Sequence, residues 1–113
     1  MDLDIRQSGS ICTLKVKGKF KSDSVPTYDA AVESAIHSGH IYVILDLEDV
    51  PMIDSSGIGA VVNTLRLTKA AGGDTKLLNP SSFTVKTFKM VGILSLFGAY
   101  TSEAEAVAAC GTS

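Results

Sequence analysis

Asp54-Ser55-Ser56-Gly57-Ile58-Gly59 is the stretch whose residue types and spacing could do chemistry. Two adjacent hydroxyls follow a carboxylate just where an apolar helical pattern begins, with Ile58, Val61, Val62 and Leu65 on one face. Asp54, Ser55 and Ser56 therefore fall at a helix amino terminus, where the first N–H groups have no partner inside the helix. Asp and Ser cap such groups and glycines permit close packing, so plain capping chemistry is one reading. The other is a phosphoryl group on serine, because free amides and the positive end of the helix dipole stabilise an anion there. That modification spares the fold while adding charge that repels an acidic partner or is left desolvated in an apolar contact.

No second constellation competes with this turn. A serine nucleophile needs an activating base, and none can be named; no thiol and histidine set or metal-ligand cluster is legible either. Cys12 and Cys110 lie almost a chain length apart among apolar or small residues, which fits buried free thiols better than a disulfide or a metal pair. His37 and His40 flank Gly39 at a predicted helix end and read as solvated or capping groups. Gly57-x-Gly59 is too short for a nucleotide-binding fingerprint. The expectation is a protein that is not an enzyme and that carries no cofactor and no metal.

The elements that position the turn follow from periodicity. Asp2 to Arg6 alternates polar and apolar residues, Ser8-Gly9-Ser10 turns the chain, and Ile11 to Val16 alternates again, predicting an antiparallel strand pair. Lys15, Lys17, Lys19 and Lys21 continue at two-residue spacing; a solvated face or the guarding of a sheet edge accounts for the row, with partner binding as the alternative. Ser24-Val25-Pro26 opens a helix carrying Tyr28, Ala31, Val32, Ala35 and Ile36, which Gly39 ends. Ile41 to Leu45 is a continuous β-branched run suited to a strand buried on both faces. The loop Asp49 to Ile53 then leads to the helix opened by Asp54, which Gly72-Gly73 closes. A short strand around Lys76 to Leu78 and a helix carrying Phe83, Val85, Phe88 and Met90 come next. A last strand within Leu94 to Tyr100, interrupted by Gly98, precedes an alanine-rich helix with the capping box Ser102 to Glu105. The order ββαβαβα followed by βα predicts one α/β domain over residues 1–113, a mixed sheet with four packed helices, and a frayed tail Gly111-Thr112-Ser113.

Composition narrows the partners. With 113 residues, 45% of them hydrophobic, the chain suits one ordinary core. A net charge of −2 with dispersed lysines and arginines offers no footprint for nucleic acid. The longest apolar run is far too short to span a bilayer, and the start Met1-Asp2-Leu3-Asp4 lacks a signal peptide's layout, so a cytoplasmic protein without membrane insertion is expected.

Val50-Pro51-Met52-Ile53-Asp54-Ser55-Ser56-Gly57-Ile58-Gly59 resembles the signature of STAS domains, specifically the anti-sigma-factor antagonists: apolar, Asp, Ser, Ser, Gly, apolar, Gly. Val43 to Leu47 and Phe88 to Ile93 resemble further parts of that family, and the likeness covers essentially the whole chain. It implies a STAS-like fold, the first strand pair antiparallel and the remainder largely parallel. It also implies that Ser55 is the phosphoacceptor of a serine kinase that is itself the anti-sigma factor, with a serine phosphatase reversing the step. The unphosphorylated form would bind the anti-sigma factor and free the sigma factor for transcription. Asp54 and Ser56 would shape the turn, while Gly57, Ile58 and Gly59 would meet the partner, the glycines letting it approach the backbone. Lys21, Ser22 and Asp23 would lie in the loop beside Ser55. Many relatives carry an acidic residue where Lys21 stands, and a lysine there could pair with phosphate, mark a different kinase or mark a homologue that has lost phosphorylation. The alternative is a STAS scaffold in a membrane transport or signalling assembly without a phosphate cycle. Oligomeric state is left open, a weak homodimer included.

Overall fold

The computed structural model describes residues 1–110, so the tail expected to fray lies outside it. The elements follow the predicted order: β1 (Asp2–Ser8), β2 (Ile11–Lys17), α1 (Val25–His37), β3 (Tyr42–Asp49), α2 (Ser55–Ala70), β4 (Asp74–Leu78), α3 (Ser82–Met90), β5 (Gly98–Tyr100) and α4 (Glu103–Ala109). They form one five-stranded sheet in the order β1-β2-β3-β4-β5. β1 and β2 are antiparallel, and every later pairing is parallel. The three crossovers from β2 to β5 all step the same way, and right-handed connections then put α1, α2 and α3 on one face. Leu14, Val16, Tyr28, Val32, Val43, Leu45, Val61, Leu77 and Phe88 make the main core there. Among the described residues α4 packs on the other face, over Ile11, Ile44 and Leu78 through Ala106 and Cys110. At about 1.5–3 kcal/mol per fully buried large apolar side chain, the helical face dominates stability.

Polar groups inside this core are paired. Thr64 Oγ1 donates to the carbonyl of Ala60 at 2.8 Å, which makes the Tyr28 hydroxyl, 2.7 Å away, the donor to Thr64. Burial pushes the Tyr28 phenol well above its ordinary pKa, so it stays protonated and able to donate. Cys12 and Cys110 are buried free thiols on opposite faces of the sheet, both raised in pKa by desolvation. His40 Nδ1 lies 2.7 Å from the carbonyl of Gly9, so this histidine fastens the start of β3 to the β1–β2 turn.

Three expectations are corrected. The lysine row is neither continuous nor an edge guard. β2 is an interior strand, its register with β3 shifts between Lys15 and Lys17, and Gly18 at φ +104° breaks the two-residue period before Lys19. Lys15 sits among Asp46, Glu48 and Asp49, while Lys17 pairs with Asp4 at 2.7 Å. The segment from Leu94 begins as a 3-10 turn, Leu94–Leu96, and Gly98 starts the last strand instead of interrupting it. β3 runs on to Asp49, beyond the apolar run, because its pairing with β2 continues to Lys17–Asp49 after β4 has ended its pairing at Asp46. Of the four apolar residues noted on α3, Phe88 alone is fully buried, and Phe83 and Met90 are exposed.

α4 is tied across the sheet to its edge. Arg6 on β1 donates through both terminal nitrogens to Glu103, a bidentate pair reaching from edge strand to helix. Those donors hold the Glu103 carboxyl below its ordinary pKa. A depressed carboxyl pKa contributes above its unfolded value and is lost as pH falls through the folded one, so this tether weakens in acid.

Candidate functional site

The loops after β2 and β3 build the site by extending the parallel β2–β3 ladder beyond its bulge. Gly18 N–H donates to Asp49 at 3.0 Å, Phe20 N–H to Met52 at 3.0 Å, and Asp54 N–H back to Phe20 at 3.1 Å. Phe20 and Ile53 form a parallel bridge. This zipper delivers Asp54 to the start of α2 in extended backbone, the conformation an N-cap requires.

Asp54 then bonds in two directions. Its Oδ1 accepts from Gly57 N–H at 2.9 Å, capping α2, and its Oδ2 accepts from Ser22 N–H at 3.3 Å, holding the other loop against the turn. Ile58 N–H is taken by the Asp54 carbonyl at 2.9 Å. Of the four amides that open α2, those of Ser55 and Ser56 therefore remain for solvent or an anion. Both serines are exposed. Asp54→Ala should cost about 1–2 kcal/mol in urea unfolding, and Asp54→Asn less, since its single amide oxygen keeps the bond from Gly57 N–H and loses the one from Ser22 N–H; a negligible loss in the alanine variant would show that the cap is idle.

The structure thus brings Asp54, Ser55, Ser56 and Ser22 together. Lys21 is the half-buried residue before the 3-10 turn Ser22–Ser24, and Asp23 is exposed within that turn. Among the described residues, no ion pair involves Lys21. Ile58 is half-buried and packs on the main core. The two glycines part company. Gly59 is exposed, and a Cβ there would meet nothing within 4 Å. Gly57 is buried: a Cβ there would lie 2.6 Å from the carbonyl oxygen of Phe20 and 2.7 Å from Ile53 Cγ1. Its missing side chain serves the chain's own loop, which corrects the expectation that it opens the backbone to a partner.

Sequence reasoning passed over Phe20 as a site residue. Its backbone holds the zipper together, and its fully buried ring lies 4.8 Å from that of Tyr28. One signal was present: Phe20 is the lone apolar residue between Lys19 and Lys21, just after Gly18.

A model of the STAS domain matches residues 2–106 of the chain. The chain belongs to the STAS family. It is 33% identical over 81 residues to the anti-sigma F factor antagonist of Lysinibacillus sphaericus, covering 71% of this chain and 69% of the relative. The anti-sigma-B factor antagonist of Bacillus subtilis (strain 168) is 27% identical over 93 residues, covering 82% and 84%. Among solved structures, the unphosphorylated form of the anti-sigma factor antagonist SpoIIAA superposes with a TM-score of 0.84 at 26% identity, over 99% of each chain. The phosphorylated form of SpoIIAA, a Bacillus cell fate determinant, gives 0.77 at 27%, over 95% and 97%. Within the STAS family this chain is therefore of the anti-sigma-factor-antagonist kind, whose members are regulatory binding proteins and not enzymes. No helix among its described residues is long and apolar enough to cross a membrane.

Proposed function

We propose that this chain binds an anti-sigma factor and is released from it when Ser55 is phosphorylated. The observation that carries the reading is the division of labour at the start of α2. Asp54 turns inward and spends its carboxylate on Gly57 and Ser22, while Ser55 faces solvent beside two uncommitted amides at the positive end of the helix. A phosphate on Ser55 is stabilised where it sits and leaves the cap unbroken, so the fold persists while the surface gains negative charge. The kinase in this scheme is the anti-sigma factor itself, a serine phosphatase resets the switch, and the output is sigma-factor-dependent transcription. Lys21, on the loop that Ser22 ties to Asp54, adds the positive charge that pairs with the phosphate.

Incubation with the cognate kinase and ATP should add one phosphate to the wild type and none to Ser55→Ala, by intact mass with fragmentation to locate it. The phosphorylated protein should bind the anti-sigma factor at least about tenfold more weakly, equal to roughly 1.4 kcal/mol. Phosphate on another residue, or unchanged affinity after modification, would overturn the proposal and return the chain to a scaffold role.

A further inference from the structure

β1 is an open edge. It pairs with β2 on one side, and on the other no strand among the described residues lies beside it. Its seven residues hold an unbroken antiparallel register with β2, without proline or bulge, so the ladder is ready for another strand. The direction of the free groups follows from the two-residue turn Gly9-Ser10. Ser8 and Ile11 flank that turn, which makes them a hydrogen-bonded pair and alternates the pattern down the strand. Ser8, Arg6, Asp4 and Asp2 thus bond inward to β2, and Gln7, Ile5 and Leu3 present their N–H and C=O groups outward.

The side chains on this edge are self-complementary in one register. A second copy lying antiparallel along β1 must pair outward-bonding residues with outward-bonding residues, so the two-fold axis can pass through Asp4, Ile5 or Arg6. On Asp4 it sets two carboxylates face to face, and on Arg6 two guanidinium groups; like charges directly opposite destabilise a sheet. On Ile5 it pairs Asp4 of each copy with Arg6 of the other, Leu3 with Gln7, and Ile5 with itself. The Asp4–Arg6 pairs occupy the non-hydrogen-bonded positions, where facing side chains are closest. Each then extends an existing ion pair, Lys17–Asp4 in one copy and Arg6–Glu103 in the other. Ile5, 48% exposed in the single chain, is covered by its own counterpart.

We infer that β1 is a homodimerisation edge, joining two copies of this chain antiparallel about Ile5 into one continuous sheet. The edge lies across the sheet from β5 and on strands other than the one that leads to Ser55, so the dimer leaves the phosphoacceptor turn free. The interface is one strand wide, which makes the association weak and concentration-dependent.

Sedimentation velocity from micromolar to millimolar protein should show a monomer–dimer equilibrium. Asp4→Arg or Arg6→Asp alone sets like charges opposite each other twice and should weaken association about tenfold or more. Mixing the two variants restores opposite charges at both positions, and the heterodimer should regain near wild-type association. In the wild type, amide exchange at Leu3, Ile5 and Gln7 should slow as concentration rises. A monomer throughout the range, a mixture that stays dissociated, or protection that builds up on another element would overturn the proposal.

Discussion

Gly73→Ala should lower the unfolding free energy by about 3 kcal/mol, since a Cβ there meets a closer contact than at any other glycine among the described residues. A Cβ at Gly73 would stand 1.9 Å from the carbonyl oxygen of Ile41 and 2.5 Å from its carbonyl carbon. Neither side can yield easily. Ile41 leads into β3, whose first residue is in register with Asp74, and Gly73 N–H is held by the carbonyl of Thr68 at 2.7 Å. Alanine's usual gain from stiffening the unfolded chain, about 0.4–1 kcal/mol, is too small to offset the clash. Against a typical total of about 5–15 kcal/mol the loss is severe. Urea unfolding measures it directly, and a deficit below about 1 kcal/mol would mean that the turn between α2 and β4 yields without disturbing the ladder.

Gly57→Ala is the second large effect, and its cost falls on the site. The added methyl would press on the Phe20 carbonyl, the atom that accepts from Asp54 N–H, so relief means lifting the Phe20 loop off the turn. A loss of about 2 kcal/mol is expected, with amide exchange accelerated at Phe20, Ser22 and Asp54. Gly59→Ala, two residues along, is the control: it meets open space and should stabilise α2 by roughly 0.5–1 kcal/mol. If the two variants behaved alike, helix propensity and not the Phe20 contact would govern the turn. Asp54→Ala acts on the same junction, so its cost should not add simply to that of Gly57→Ala.

The loop 18–24 shows where local reading fails. Two-residue lysine spacing looked like a continuing strand, yet spacing carries no information about which strand is an edge. Lys15 faces Asp46 and Asp49 only because β2 and β3 are parallel neighbours. The last strand failed differently. Leu94 to Leu96 has the apolar character of a strand, but the backbone there closes a 3-10 turn, with Leu96 N–H on the carbonyl of Ile93. Gly57 failed because glycine has one letter and two uses, and only the atoms around it distinguish packing from exposure.

Much was settled before any tertiary contact was known. Alternation in β1 and β2, the helical stripes of α1 and α2, Asp54 as a cap and the Ser102 cap of α4 are local properties, carried by side-chain period and by backbone amides that need a nearby acceptor. The motif around Ser55 likewise identified the family from consecutive residues. Tertiary structure alone decided that Ser22 joins Asp54, that Gly57 lies under Phe20 while Gly59 is open, and that β1 ends the sheet with Asp4 and Arg6 on its rim. Each of these depends on pairing between segments far apart in the chain. A linear pattern records the period of an element, and its neighbours are chosen only when the whole core packs.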